Sequence, residues 1–395
     1  MKISKIIMFV GGVETLDYFS MRMGEEYKRM GYQVFYYDLQ DVTAAKKVRK
    51  YIRSKETIMI TFNFEGLEQE NGIYEPSRGY LWQQLGVPCY NIVADHPYFY
   101  HDRLENLPRD YHHISIDKNH RAYLRKYYPK YDDFGFLPLA GTPLCSKEEQ
   151  KLIADRNTDV LLVGNYTTLS FFEPHIEWIN EEYAQFYRGI IKDLTAETDS
   201  TVEAMEERHC NRELGETQLD ELRSAFHKMT FIDLYIRNYY RGAVVQMLVD
   251  AGIEVTVIGK GWDELPCEQR ENLTILPQTD SIACLQAMKD AKIALNVMPW
   301  FKDGAHDRIF NGILNGCVSV SDTSKYLSEQ LPQGMGVWYY QLSELEQMPQ
   351  MITELLEDND KLQHIVDTGY NLVKEKHTWE QRAHELLEMI KLQCE

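Results

Sequence analysis

Between Pro299 and Asp322 the chain reads PWFKDGAHDRIFNGILNGCVSVSD, a loop closed by Gly304-Ala305-His306 that runs into a helical stretch. The first turn of a helix presents unpaired N–H groups and the positive end of the dipole, so it attracts anions. His306 or Asp307 stands near the N-cap. Arg308 falls in the first turn, where a guanidinium can take two phosphate oxygens at once. Asn311, three residues on, shares its face and could bond a ribose hydroxyl. The same letters also describe an ordinary capped helix with a solvated arginine. A second motif, Gly259-Lys260-Gly261-Trp262, follows a short apolar run. Its glycines would let backbone approach a ligand. Lys260 could add a cation opposite a diphosphate, and Trp262 could stack. It also fits a tight strand-to-helix turn.

Asp95-His96-Pro97 ends another apolar run. An Asp-His pair there could act as general base or orient an acceptor, although Asp and Pro so close together commonly mark a turn. Gly11-Gly12 could bring backbone near a substrate or simply turn the chain. No D-x-D stands at a strand end, since Asp358-Asn359-Asp360 follows a helical run. His112-His113 lacks further ligands at metal spacing, so no metal site is expected.

Each motif sits at the end of a strand-like segment. Residues 6–10 (IIMFV) form a continuous apolar run, as expected of a strand covered on both faces. Residues 15–30 then carry Leu16, Phe19, Met23 and Tyr27 at helical spacing. Further strands are expected at 33–37, 57–61, 88–93, 113–116 and 134–137. After a polar stretch at 146–158, the alternation resumes with strands at 159–163, 254–258, 273–276, 293–297 and 318–321. Helices are expected at 235–251, 281–290 and 308–315. Residues 166 to about 233 are acidic and helical, and read as an insertion. The pattern predicts an α/β protein: a Rossmann-like domain over 1–145 and another over 146–375, facing across a cleft. Ligands of such sheets bind at the carboxyl ends of the strands.

Composition narrows the partners. The net charge over 395 residues is −19, which argues against a general nucleic-acid binder. Residues 1–150 hold 20 Lys/Arg and 20 Asp/Glu, so the remainder carries the whole excess. Seven cysteines without a C-x-x-C pair suggest unpaired thiols in a reducing, cytoplasmic compartment. No apolar stretch approaches the roughly 18 residues of a membrane span. Basic residues do cluster at Lys46, Lys47, Arg49, Lys50, Arg53 and Lys55, and again between Lys118 and Lys130. They could hold an anionic membrane surface, or form a solvated face.

The segments DVLLVGNY (159–166), YIRNYYRGAVVQMLVDAGIEVTVIGKGW (235–262), AKIALNVMPWFKDGAHDRIFNGILNGCVSVSD (291–322) and KHTWEQRAHELL (376–387) resemble GT-B glycosyltransferases. They are most similar to the group that includes the CgeB-like spore-maturation proteins. The most specific piece is H-x-R-x-F at 306–310, followed by Gly316. LGVPCYNIVADHPYFYH (85–101) and ISIDKNHRAYL (114–124) match the first domain more loosely. The resemblance implies transfer of a sugar from a UDP-, GDP- or TDP-linked donor to a glycan, protein or lipid, with no cofactor and no metal. It implies that Lys260 and Arg308 contact the diphosphate, that Asn311 takes the ribose position and that His306 lies near the sugar or phosphate. Gly164, Gly259, Gly261, Trp262, Gly11 and Gly12 would line the nucleotide, and Asp95 and His96 would face from the acceptor side. In many retaining members a glutamate stands where this chain has Asn311. The helix over 376–395 would cross back onto the first domain. A non-catalytic relative or a sugar-nucleotide epimerase on the same fold are the alternatives.

Overall fold

The structure, a computed structural model, describes residues 2–215 and 217–394. The chain divides into two compact units, residues 1–139 with 379–395, and residues 140–378.

The first unit opens with β1 (Lys5–Val10), α1 (Glu14–Arg29), β2 (Gln33–Asp38), α2 (Ala44–Tyr51) and β3 (Thr57–Phe62). A small hairpin follows, β4 (Tyr74–Glu75) and β5 (Gly79–Tyr80), then α3 (Leu81–Leu85), β6 (Cys89–Val93), β7 (Tyr111–Ser115), α4 (Lys118–Tyr127) and β8 (Asp132–Phe136). The six long strands form one parallel sheet in the order β2-β1-β3-β6-β7-β8. Its central strands are apolar along their length because helices cover both faces; β3 and β6 are wholly buried. From β1 the chain passes outward to β2 and then returns across to β3, so the topological switch point lies between β1 and β3.

The second unit begins with β9 (Thr158–Val163). A helical stretch comes next: α5 (Glu173–Glu177), α6 (Glu181–Ala196), α7 (Val202–Leu214), α8 (Leu219–Lys228) and the 21-residue α9 (Thr230–Asp250). Then come β10 (Val255–Ile258), β11 (Leu273–Leu276), α10 (Ser281–Met288), β12 (Ala291–Asn296), α11 (Asp307–Leu314), β13 (Val318–Asp322), α12 (Lys325–Gln330), β14 (Val337–Tyr340), α13 (Met348–Leu356) and α14 (Asn359–Lys376). The second parallel sheet runs β11-β10-β9-β12-β13-β14, with its switch point between β9 and β12. Strand β14 and the β4–β5 hairpin were not anticipated from the sequence.

The last helix, α15 (Trp379–Cys394), belongs to the first unit. It lies on the face of α1 made by Leu16, Phe19 and Met23. The Trp379 and Phe19 rings sit 4.2 Å apart, Arg22 pairs with Glu380 at 2.7 Å, and His384 reaches Glu26 at 2.9 Å.

Candidate functional site

Arginines gather at the β9/β12 switch point of the second unit. Gly164 ends β9 and has φ 153°; a Cβ there would lie 3.2 Å from Nη1 of Arg308. Glycine thus lets the guanidinium close on the strand end, where Nη1 donates to the Val163 carbonyl at 2.8 Å. The neighbouring turn after β10 locks against this one. Asn165 Oδ1 accepts from the Lys260 backbone N–H at 2.9 Å, and the Tyr166 N–H donates back to the Lys260 carbonyl at 2.9 Å. Gly261, at φ 82°, passes so close that a Cβ would sit 2.1 Å from the Tyr166 carbonyl oxygen.

Arg308 has company that the sequence reading did not weigh. Arg237 and Arg241 lie one turn apart on α9, on the same face. The Arg241 guanidinium donates to the Asn165 carbonyl, and Arg237 stacks over Trp300 at 4.2 Å, with Arg241 5.9 Å from the same ring. Burial, then Arg308 and Arg237, bring the Arg241 pKa down to about 9. Burial likewise lowers that of Arg308, against the pull of Asp307 and Asp322. Arg237 pairs with Asp233. Mutual repulsion among such cations is relieved by a polyanion, and planar guanidinium forks suit phosphate oxygens. In the sequence they read only as two arginines four residues apart on a helix, with nothing to bring them to Arg308.

His306 caps α11. Its Nδ1 lies 2.6 Å from Asp307 Oδ1 and 3.3 Å from both the backbone N and the Nε of Arg308. Burial and Arg308 lower the His306 pKa, so the ring is neutral near pH 7. Burial raises the Asp307 carboxyl, but His306 and Arg308 outweigh it and hold it low. Asp322, which ends β13 and accepts from the Met298 N–H at 2.7 Å, is pushed up to about 6 by burial.

Several expected site residues are placed otherwise. Trp262 is fully buried, stacks on Tyr166 at 5.2 Å and donates Nε1–H to the Gly164 carbonyl at 2.8 Å. It braces the Gly164 turn from beneath and offers no face to a base. Asn311 does not present its amide outward. Its Oδ1 accepts from the Thr142 N–H and its Nδ2 donates to Asp307 Oδ2, both at 2.9 Å. With Asn315, which bonds Leu144 and Thr142, it pins residues 142–144 to α11. Lys260 is exposed. Gly259 stands where a Cβ would lie 2.3 Å from the Gly164 carbonyl oxygen, so it serves loop-to-loop packing.

In the first unit, Gly11 and Gly12 do end β1, but their N–H groups point at Asp17, at 2.9 and 3.3 Å. Turned to a carboxylate, they are spent as phosphate donors. His96 is only 4% exposed, packed among Tyr98, His120 and Tyr123, and its Nδ1 accepts from the Tyr98 N–H. Asp95 Oδ2 accepts from Asn63 Nδ2 and from the Tyr100 hydroxyl, both at 3.0 Å. These bonds tie the carboxyl ends of β3 and β6 together.

Two parallel six-stranded sheets, each flanked by helices, in the order found here define the GT-B fold. Residues 241–388 match the family model described as glycosyl transferase-like. No curated protein matches the chain. Among solved structures, an α-glucosyltransferase with UDP-glucose and DNA containing an abasic site is similar at TM-score 0.61 and 12% identity, covering 99% of this chain and 100% of that one. Sucrose-phosphate synthase from Thermosynechococcus elongatus is similar at TM-score 0.56 and 11% identity, covering 98% of each. HepE of Anabaena, in complex with UDP, is similar at 0.51 and 10%, covering 99% of this chain and 100% of that one.

Proposed function

We propose that this chain is a glycosyltransferase of the CgeB-like type that uses a nucleotide-diphosphate sugar, with UDP the first nucleotide to test. The observation that carries the reading is the convergence of Arg241 and Arg308 on the Gly164 turn at a strand switch point, with Arg237 sharing the Trp300 ring with Arg241. In the transfer, the bond between the sugar anomeric carbon and the diphosphate oxygen breaks. A bond from that carbon to an acceptor oxygen forms, and the acceptor hydroxyl gives up its proton. Charge accumulates on the departing diphosphate. Preorganised guanidinium groups in a partly buried site stabilise it there, a role that a divalent cation fills in other enzymes. On this reading the reaction is metal-independent, and Trp300, held under Arg237, keeps the cations in place.

UDP-bound relatives of the same fold support the nucleotide class. The acceptor is a glycan, protein or lipid. The DNA seen with the α-glucosyltransferase is not carried over, given the net charge of −19. Membrane contact through α2 and α4 is a weaker proposal, because Lys47 pairs with Asp41, and Arg121 and Arg125 both hold Asp133. Among the described residues no helix is long and apolar enough to cross a bilayer. We place the protein in the cytoplasm, where the free thiols of Cys89, Cys145, Cys210, Cys267, Cys284 and Cys317 stay reduced. The test is thermal stability against a panel of UDP-, GDP- and TDP-sugars in EDTA. A ligand of the folded state raises the melting temperature. A shift with one donor that disappears in Arg308→Ala supports the reading, and no shift with any nucleotide sinks it.

A further inference from the structure

The helical stretch between β9 and β10 grips the loop that joins β12 to α11 at two points. On α9, Arg237 stacks over the Trp300 ring of that loop at 4.2 Å. Trp300 in turn meets the His306 ring edge-on, with centroids 6.1 Å apart. Two residues on, Lys302 Nζ donates to the Thr198 carbonyl, just past the end of α6, at 2.5 Å. The far side of the loop is held by the end of β13. Asp322 takes the Met298 N–H, and the Lys325 N–H donates to the Lys302 carbonyl at 2.9 Å. The segment that leads into Arg308 is therefore fixed between the sheet and the helical stretch.

Arg237 is itself held from behind. Asp233, one turn earlier on α9, is 1% exposed and lies 2.5 Å from Arg237 Nη2. On α7, Glu206 is fully buried, and neither of its carboxyl oxygens makes a hydrogen bond. Burial first, then Asp233 and Glu203, pushes its pKa well above the usual carboxyl range, so Glu206 keeps its proton at neutral pH. A second ionised carboxylate there would be buried without a partner, which is costly. With Glu206 neutral, the charge of Arg237 is balanced by Asp233. Arg241 and Arg308 reach carbonyls of the Gly164 turn and its strand end, whereas Arg237 is turned to Trp300 and Asp233. Its place is that of a brace.

We propose that the helical stretch is part of the nucleotide site, with Asp233 as its positioning residue: Asp233 fixes Arg237 over Trp300, and Trp300 holds the loop that carries His306 and Arg308. This role rests on the glycosyl-transfer reading for its ligand, but the clamp exists without nucleotide. The test is calorimetric titration of UDP into the full chain and its variants. Asp233→Asn takes a negative charge away from the arginines, so attraction between charges alone predicts tighter binding of a diphosphate. A positioning role predicts the reverse, binding weaker by roughly fivefold or more. Trp300→Ala should weaken UDP to a similar extent, and adding Asp233→Asn to it should cost nothing further, because both act through one contact. Asp233→Asn combined with Arg237→Gln leaves no buried charge at the pair, so it remains testable if the single variant does not fold, and it should weaken UDP as much. Glu206→Gln, close in shape to the protonated acid, should leave UDP affinity within about twofold. Without nucleotide, the Trp300 emission, taken as the difference from the matching Trp300→Phe variant, should shift in Asp233→Asn. Four results would overturn the positioning role: UDP binding unchanged or tighter in folded Asp233 variants, losses that add to that of Trp300→Ala, a Glu206→Gln loss as large as that of Asp233→Asn, or an unmoved Trp300 emission. A wild type that binds no UDP while its Trp300 emission still responds to Asp233→Asn would instead refute the donor reading.

Discussion

Both sheets are parallel and six-stranded, but the opening strand β1 stands second from the edge of the first and the opening strand β9 third from the edge of the second, and the residues at the two switch points carry opposite charge. At β1/β3 the glycine turn is held by Asp17 and Glu65. At β9/β12 the corresponding turn faces Arg241 and Arg308. Topology places a crevice at the carboxyl ends in both cases, and side-chain chemistry alone decides what enters it. A glycine pair at a strand end is therefore no evidence of a phosphate site until its N–H groups are followed to their partners.

The contrast can be broken most directly by removing the cations. Arg308→Ala and Arg241→Ala should each weaken UDP by about 10- to 100-fold, the size of a lost charge-assisted contact of about 1.5–3 kcal/mol. Calorimetric titration checks this. If Glu65→Gln weakened UDP equally, the division of labour between the turns would be lost. Trp379→Ala probes the first unit as a structure. The indole is 1% exposed between Phe19 and Phe62, so its loss should cost about 3–5 kcal/mol in denaturant unfolding. Asn311→Ala sharpens the second unit. Losing both amide bonds should cost about 1–3 kcal/mol in stability, while UDP affinity changes less than threefold. A larger loss of affinity would return Asn311 to the ribose.

The smallest expected effect is one of pH. Glu65 carries a pKa of about 7 in the folded state against 4.5 in the unfolded chain. Between these values the folded protein keeps a proton that the unfolded chain releases. Its contribution to stability therefore falls as pH rises from 4.5 to 7. Glu65→Gln should gain melting temperature relative to the wild type between pH 5 and pH 8, and a parallel pair of profiles would contradict the buried carboxyl.

Much of the fold was legible because parallel strands buried on both faces write continuous apolar runs, as at 6–10 and 159–163. Strand β14, Val337–Tyr340, is only four residues of mixed exposure at a sheet edge, and it escaped notice. Arg308 was legible from its place in a first helical turn. Arg241 was not, because its value depends on β9 and β12 bringing distant segments to one point. Trp262 misled for a related reason: an aromatic after a glycine turn reads alike whether it faces outward or inward. His96 was visible as a polar residue after a strand and Asn311 as one within a short helix, but polar side chains that reach backbone are often consumed by it, as both are here.

The Gly164 turn also bears on the order of events in refolding. Its bond to Trp262 spans 98 residues of chain, and its neighbour Val163 is held by Arg308 across 145. Between β9 and β10 stand all of α5 to α9. Closing such long segments costs entropy that local helices do not incur, and contacts of large sequence separation form slowly. Helical content should return early after dilution from denaturant, and nucleotide binding should be the last property regained.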